Sequence, residues 1–178
     1  MNVILETERL LLRELNLNDS QFMIELLNSP GWLQFIGDRN VRTETQSMAY
    51  LEHGPLRSYR ENGFGLYLVE RKSDHLGVGL CGILKRDFLE VPDIGFAFLP
   101  EFNGMGYAYE SAGATMKYAT DTLKIPHLCA ITTPENVRSI RLLEKIGLKL
   151  SGTILYPETN EELLLFSTKS DVQVYRLT

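Results

Sequence analysis

Residues 102–110 read FNGMGYAYE. Gly104 and Gly106 bracket one residue. Beyond them Ala108, Ala112, Thr115, Met116, Ala119 and Leu123 recur at helical spacing, which predicts a helix from Gly106 to about Leu123. The preceding stretch, DIGFAFLP at 93–100, reads as a strand closed by Pro100. A strand, a glycine loop and a helix start therefore follow one another directly. The first amides of a helix have no partner within it, and the helix dipole adds partial positive charge there. Two glycines at such a mouth serve either a tight turn or a backbone that must lie against a phosphate. The dinucleotide fingerprint would need a third glycine where Tyr109 stands, and no Gly-Lys-Ser/Thr follows as in a Walker loop.

Outward from this stretch the chain alternates strands and helices. ERLLLREL at 8–15 predicts a first strand. Asn18 with Gln21, and Thr43 with Gln46, have capping-box spacing and predict two helices, the first with Phe22, Met23, Leu26 and Leu27 on its apolar face. Gly54-Pro55 interrupts or kinks the second, because proline removes a backbone donor. FGLYLVER (64–71) and GVGLCGILKR (77–86) flank the polar turn KSDHLG and predict a hairpin. HLCAIT (127–132) is a further strand. A helix follows, with Thr133 as its cap, Pro134 at its first position and Gly147 at its end. Strands at about 148–156 and 162–169 finish the pattern. The expectation is an α/β (α+β) fold with a mixed central β-sheet flanked by helices, one domain over 1–178.

Composition narrows the function. The chain has 178 residues, 44% hydrophobic, enough for one well-buried core. Its formal net charge of -5, with 18 scattered Lys and Arg, argues against nucleic acid as a partner. No apolar run reaches the roughly 20 residues of a membrane helix, and the acidic start MNVILETER is no signal peptide, so a cytoplasmic protein is expected. Cys81 and Cys129 lie in apolar runs and read as two buried thiols rather than a disulfide. His53, His75 and His127 fit no zinc spacing, so no metal is expected.

Two separated motifs give this pattern a family likeness. Asp93-Ile94-Gly95-Phe96, Pro100-Glu101-Phe102 and Gly104-Met105-Gly106-Tyr107-Ala108 come first. Asn136-Val137-Arg138-Ser139 and Leu143-Glu144-Lys145-Ile146-Gly147 come later in the same order. With the opening ETERLLLREL, they resemble the GNAT superfamily of acetyl-CoA-dependent N-acyltransferases. The branch most similar is that of the ribosomal-protein N-terminal acetyltransferases. Glu101 stands where the wider superfamily has Gln or Arg, Phe96 where Tyr is usual and Leu148 where Phe is usual. None of these changes bears on backbone binding of a cofactor.

The resemblance implies a splayed pair of parallel strands that holds acetyl-CoA as cosubstrate. It implies cofactor contacts from Phe96, Phe98 and Leu99, from the loop Asn103, Gly104, Met105, Gly106, Tyr107 and Ala108, and from Asn136 and Ser139. Ser139 shares a helix face with Leu142, Leu143 and Ile146, and either bonds back to a carbonyl or protonates the departing thiolate. Asn136 either helps to cap its helix or holds the cofactor arm. Asp93 matches the family's acidic position and is either the base or a strand-end carboxylate, with Glu90 a nearby substitute. On 93–99 alternation sets Asp93, Gly95, Ala97 and Leu99 on one face, where the small residues leave room. The implied reaction is attack of a primary amine, of a protein N-terminus or a small molecule, on the thioester. The same cleft without turnover would be an acyl-CoA-binding module. Acceptor choice is expected from about 18–60 and 150–166, where Trp32, Phe35, Tyr50, Tyr59 and Tyr156 either line a pocket or fill core, with Trp32 in a loop.

Overall fold

A computed structural model describes residues 2–169. Eight strands form one mixed sheet in the order β1-β2-β3-β4-β5-β6-β8-β7. The strands are β1 (Val3–Glu6), β2 (Leu10–Arg13), β3 (Leu66–Arg71), β4 (Leu76–Leu84), β5 (Asp93–Phe98), β6 (Cys129–Thr132), β7 (Lys149–Leu155) and β8 (Glu162–Ser167). Every neighbouring pair is antiparallel except β5 with β6. The strand expected at 8–15 is β2, and an unexpected strand, β1, precedes it: Thr7 caps the turn between them by bonding both the Leu10 amide (3.0 Å) and carbonyl (3.3 Å).

On one face lie α1 (Ser20–Leu27), α2 (Pro30–Phe35), α3 (Glu44–Leu51) and α4 (Arg57–Asn62). The Thr43–Gln46 capping box forms with both reciprocal bonds. The other box differs from expectation: Asn16 pairs with Asp19 around a short 3₁₀ turn that leads into α1. Asp19 is drawn there by Arg13, which donates to both its oxygens at 2.8 and 2.9 Å in a buried fork. As expected, Gly54-Pro55 breaks the long helix, and a wide π turn at Glu52–Leu56 separates α3 from α4. Trp32 lies in α2 rather than in a loop and is 5% exposed. It packs with Met23, Leu26, Leu51 and Leu80.

The opposite face carries α5 (Tyr107–Asp121) and α6 (Val137–Lys145). Strand alternation feeds the two layers. Tyr67, Val69, Cys81 and Ile94 pack with Tyr107 and Ala112, and Leu68, Leu80 and Leu99 pack with α1 and α3. Ala112 and Ala119 are fully buried, and these small side chains let α5 lie close on the sheet. Cys81 and Cys129 are both buried free thiols. No helix of the described residues is long and apolar enough to cross a membrane.

Candidate active site

The site is built on a seam in the sheet. β5 and β6 run parallel but pair at one position only, Asp93 with Cys129. At that apex the Cys129 amide donates to the Pro92 carbonyl at 3.0 Å. At the far end of β5 the Leu99 amide donates the other way, to the Val78 carbonyl of β4, at 3.0 Å. Alternation between these two points turns the backbone groups of Ile94, Phe96 and Phe98 toward β6. β6 has meanwhile turned away to pair with β8. Beyond that bridge a strand edge inside the sheet has no strand partner among the described residues. Unpaired buried amides and carbonyls are costly, so an extended chain is the natural occupant.

The seam opens onto the glycine loop. Gly104 and Gly106 adopt left-handed φ of 80° and 81°, which L side chains rarely adopt. A side chain at Gly104 would project into open space, and one at Gly106 would meet only the Arg9 guanidinium at 3.3 Å. No side chain caps the first turn of α5. Asn103, Gly104, Met105 and Gly106 are exposed, Ala108 is half-buried and Tyr107 is buried against Phe102. These uncapped amides and the helix dipole suit a phosphate.

Arg9 holds this loop from 96 positions away, a contact that no local pattern foretells. Its Nη1 donates to the Met105 carbonyl at 3.0 Å, and its guanidinium lies 4.8 Å from the centre of the Tyr107 ring. The other edge grips Glu110, with Nε to Oε2 at 2.7 Å.

Across the seam, α6 starts three residues later than expected. Its cap is Asn136, whose Oδ1 accepts from the Ser139 amide at 3.2 Å. The Asn136 amide bonds the Thr133 carbonyl at 3.1 Å, so Thr133 and Pro134 form a turn ahead of the helix. Asn136 and Ser139 are half-buried, and the Thr133 Oγ1 is buried without a partner among the described residues. Phe96 and Phe98 are half-buried on the α5 face. Leu99 points the other way, buried under α1 and α3, with both its backbone groups engaged.

On the α3 face of the apex stands Asp93, 1% exposed. Burial pushes its carboxyl above the usual range, opposed by Arg86, whose Nε donates to both oxygens at 3.0 Å. The room beside it at Gly95 is filled: a side chain there would lie 2.6 Å from Leu84 Cδ1. Glu90 is exposed. The aromatic candidates divide. Tyr59 is core, stacked on Tyr67 with its hydroxyl bonded to the Leu66 carbonyl. Tyr50 and Tyr156 instead approach Arg86 and Arg39. A cavity of about 480 Å³ extends from Tyr50 beneath the bend at Pro55 toward Leu66 and Leu80. A second hollow of about 490 Å³, lined by Phe64, Pro92, Pro126 and His127, adjoins it and shares Glu61, Asn62 and Lys85. Among the described residues no His, Cys, Asp and Glu cluster is placed to hold a metal ion.

Comparison with known proteins agrees with this geometry. The acetyltransferase (GNAT) domain family matches residues 9–149. The uncharacterized N-acetyltransferase YnaD of Bacillus subtilis (strain 168) is 28% identical over 146 residues, 82% of each chain. The crystal structure of the acetyltransferase from Agrobacterium tumefaciens str. C58 superposes with a TM-score of 0.78 at 25% identity, over 94% of both chains. RimL, a ribosomal L7/L12 alpha-N-protein acetyltransferase solved with coenzyme A, superposes at 0.79 over 93% of this chain and 97% of its own. At 17% identity that likeness is one of fold.

Proposed function

The chain belongs to the GNAT acetyltransferase family, and from that premise we propose that it transfers the acetyl group of acetyl-CoA to a primary amine of a small molecule or a protein N-terminus. The observation that carries this is the seam: β5 and β6 touch at one residue pair and then part, directly before an uncapped helix N-terminus. Bound acetyl-CoA supplies an activated acyl carbon and a thiolate leaving group. The amides of residues 104–108 receive its pyrophosphate, and the open edges of Phe96 and Phe98 pair with its extended arm. Asn136 fixes the start of α6 and presents Ser139 to the seam, with Leu99 supporting β5 from behind.

The acceptor nitrogen attacks the thioester carbon, the C–S bond breaks, and one proton passes from the amine while the sulfur gains one. Ser139 donates toward the sulfur. Asp93 receives the amine proton at a carboxylate oxygen, directly or through water. Burial raises its basicity, and Arg86 opposes that rise without cancelling it. Much of the acceleration comes from holding both reactants in one cleft.

The test is calorimetric titration with acetyl-CoA, then CoA release in the presence of amines and N-terminal peptides. Micromolar or tighter binding followed by release supports the proposal. Absence of binding overturns it, and binding without any release leaves an acyl-CoA-binding module.

A further inference from the structure

Two segments far apart in sequence meet over the apex of the seam. The loop between α2 and α3 brings Arg39, and the turn between β7 and β8 brings Tyr156 and Glu158. Arg39 Nη1 lies 3.4 Å from Glu158 Oε2, a long contact to a carboxylate whose side chain is 63% exposed. Tyr156 packs edge-on against Phe88 at 5.6 Å, and the Arg86 guanidinium lies 6.0 Å from the centre of that same ring. The Arg86 Nε is engaged here by both Asp93 oxygens. Arg39 meets Glu158 and Tyr156, but its Nε is buried and has no acceptor among the described residues.

This charge arrangement is selective. Two guanidiniums flank the place where an acceptor must stand, and the buried carboxylate beside it, Asp93, is already matched by Arg86. An acceptor whose sole charge is an ammonium would be repelled. A buried cationic N–H without an acceptor calls for an anionic oxygen, and a carboxylate accepts from the planar guanidinium edge in a fork. The same positive field lowers the proton affinity of a nearby amine, which favours the neutral nucleophile.

We propose that the acceptor is a small amine that also carries a carboxylate, an amino-acid-like compound, with Arg39 as the residue that receives the carboxylate. This rests on the acetyl-transfer reading and narrows its acceptor. Arg39 is a specificity residue here, acting by binding and not by proton transfer.

The experiment uses product analogues, so that it does not depend on turnover. Matched pairs of N-acetyl amino acids and their primary amides, spanning small, branched, aromatic and acidic side chains, are titrated into the CoA-saturated protein and its Arg39→Met variant. The expected result is at least one acid bound about tenfold or more tightly than its amide, with that preference lost in Arg39→Met and the affinity for CoA unchanged. No acid preferred over its amide anywhere in the panel, or a preference that survives in Arg39→Met, overturns the proposal. Should Arg39→Met lose its cooperative unfolding transition, Arg39→Lys replaces it, with partial loss expected because the charge remains and the fork does not. Failure of CoA itself to bind is read in the preceding titration, and defeats the acetyl-transfer reading instead.

Discussion

Arg9 and Glu110 grip each other through three contacts: the Arg9 amide to Oε1 at 2.9 Å, its Nε to Oε2 at 2.7 Å, and its Nη2 to Oε2 at 2.6 Å. The Thr7 hydroxyl adds a fourth bond to Oε1 at 2.6 Å. A carboxylate in the first turn of α5 would repel a phosphate, yet here its charge is absorbed by an arginine that also holds the Met105 carbonyl. Arg9→Ala should therefore weaken acetyl-CoA binding about tenfold or more while leaving kcat largely unchanged. Titration against acetyl-CoA and saturation kinetics measure both.

The same cluster sets a pH signature. Burial pushes the Glu110 carboxyl up, but the bonds from Thr7 and Arg9 outweigh it and hold the group below its usual value. A depressed carboxyl stabilises the fold above its unfolded pKa, and that stability is lost as pH falls through the folded value. Glu110→Gln should cost about 1–2 kcal/mol at pH 7, discounted because Arg9 is half in solvent. The difference from the native protein should shrink as pH drops below about 4.5. Urea unfolding at several pH values checks this, and a pH-independent difference would count against it.

Gly106→Val should abolish acetyl-CoA binding. The β-branched side chain resists a φ of 81° and crowds the loop where a phosphate approaches. Backbone strain of about 1–3 kcal/mol accompanies it, so the unfolding midpoint should fall while the fold persists. Binding at native strength would reduce the two glycines to a turn.

Ser139→Ala and Asp93→Asn separate the two proton roles. Loss of Ser139 should lower kcat with little change in acetyl-CoA affinity, since Asn136 still caps α6. Loss of Asp93 should lower kcat/KM by about 10²–10⁴ and remove the acidic limb of its pH profile. Its effect on stability carries the opposite sign to that of Glu110. The native carboxyl is raised by burial, so its contribution to stability is greatest at low pH and declines as pH rises through the folded value. Unchanged turnover in Ser139→Ala would return the hydroxyl to a structural role.

The thiols offer a check on packing. Burial pushes Cys81 up to about 11 and Cys129 up to about 12. Only thiolate reacts with a disulfide reagent, and a shift of two units lowers its fraction about a hundredfold. Neither should be titrated in the folded protein at pH 8, and both should react in denaturant. Rapid reaction of one thiol in the native state would show that its layer opens.

Much of this architecture was legible because its causes are local. The glycine loop, the Thr43–Gln46 box and the Gly54-Pro55 break each depend on residues a few places apart, and each lies where its spacing puts it. The misreadings are equally local. Asn136 outcompeted Thr133 as the α6 cap because a turn at Pro134 intervened, and Trp32 joined a short helix whose start follows from Pro30. What periodicity cannot reveal is contact between distant segments. Arg9 meets Met105 across 96 positions and Arg39 meets Glu158 across 119. Arg9 lies in the opening ETERLLLREL and Arg39 in no such motif, yet each acquires these neighbours only when the sheet assembles.

Because Asp93 and Cys129 are the single stitch between β5 and β6, the sheet consists of two panels, β1 to β5 and β6 with β8 and β7, hinged at one edge. An extended ligand lying in the gap would act as a ninth strand and weld them. Amide hydrogen exchange along β6–β8 should then slow on acetyl-CoA binding, in residues that never touch it. The protein would gain cooperativity from its substrate, unfolding as one unit when loaded and in two stages when empty.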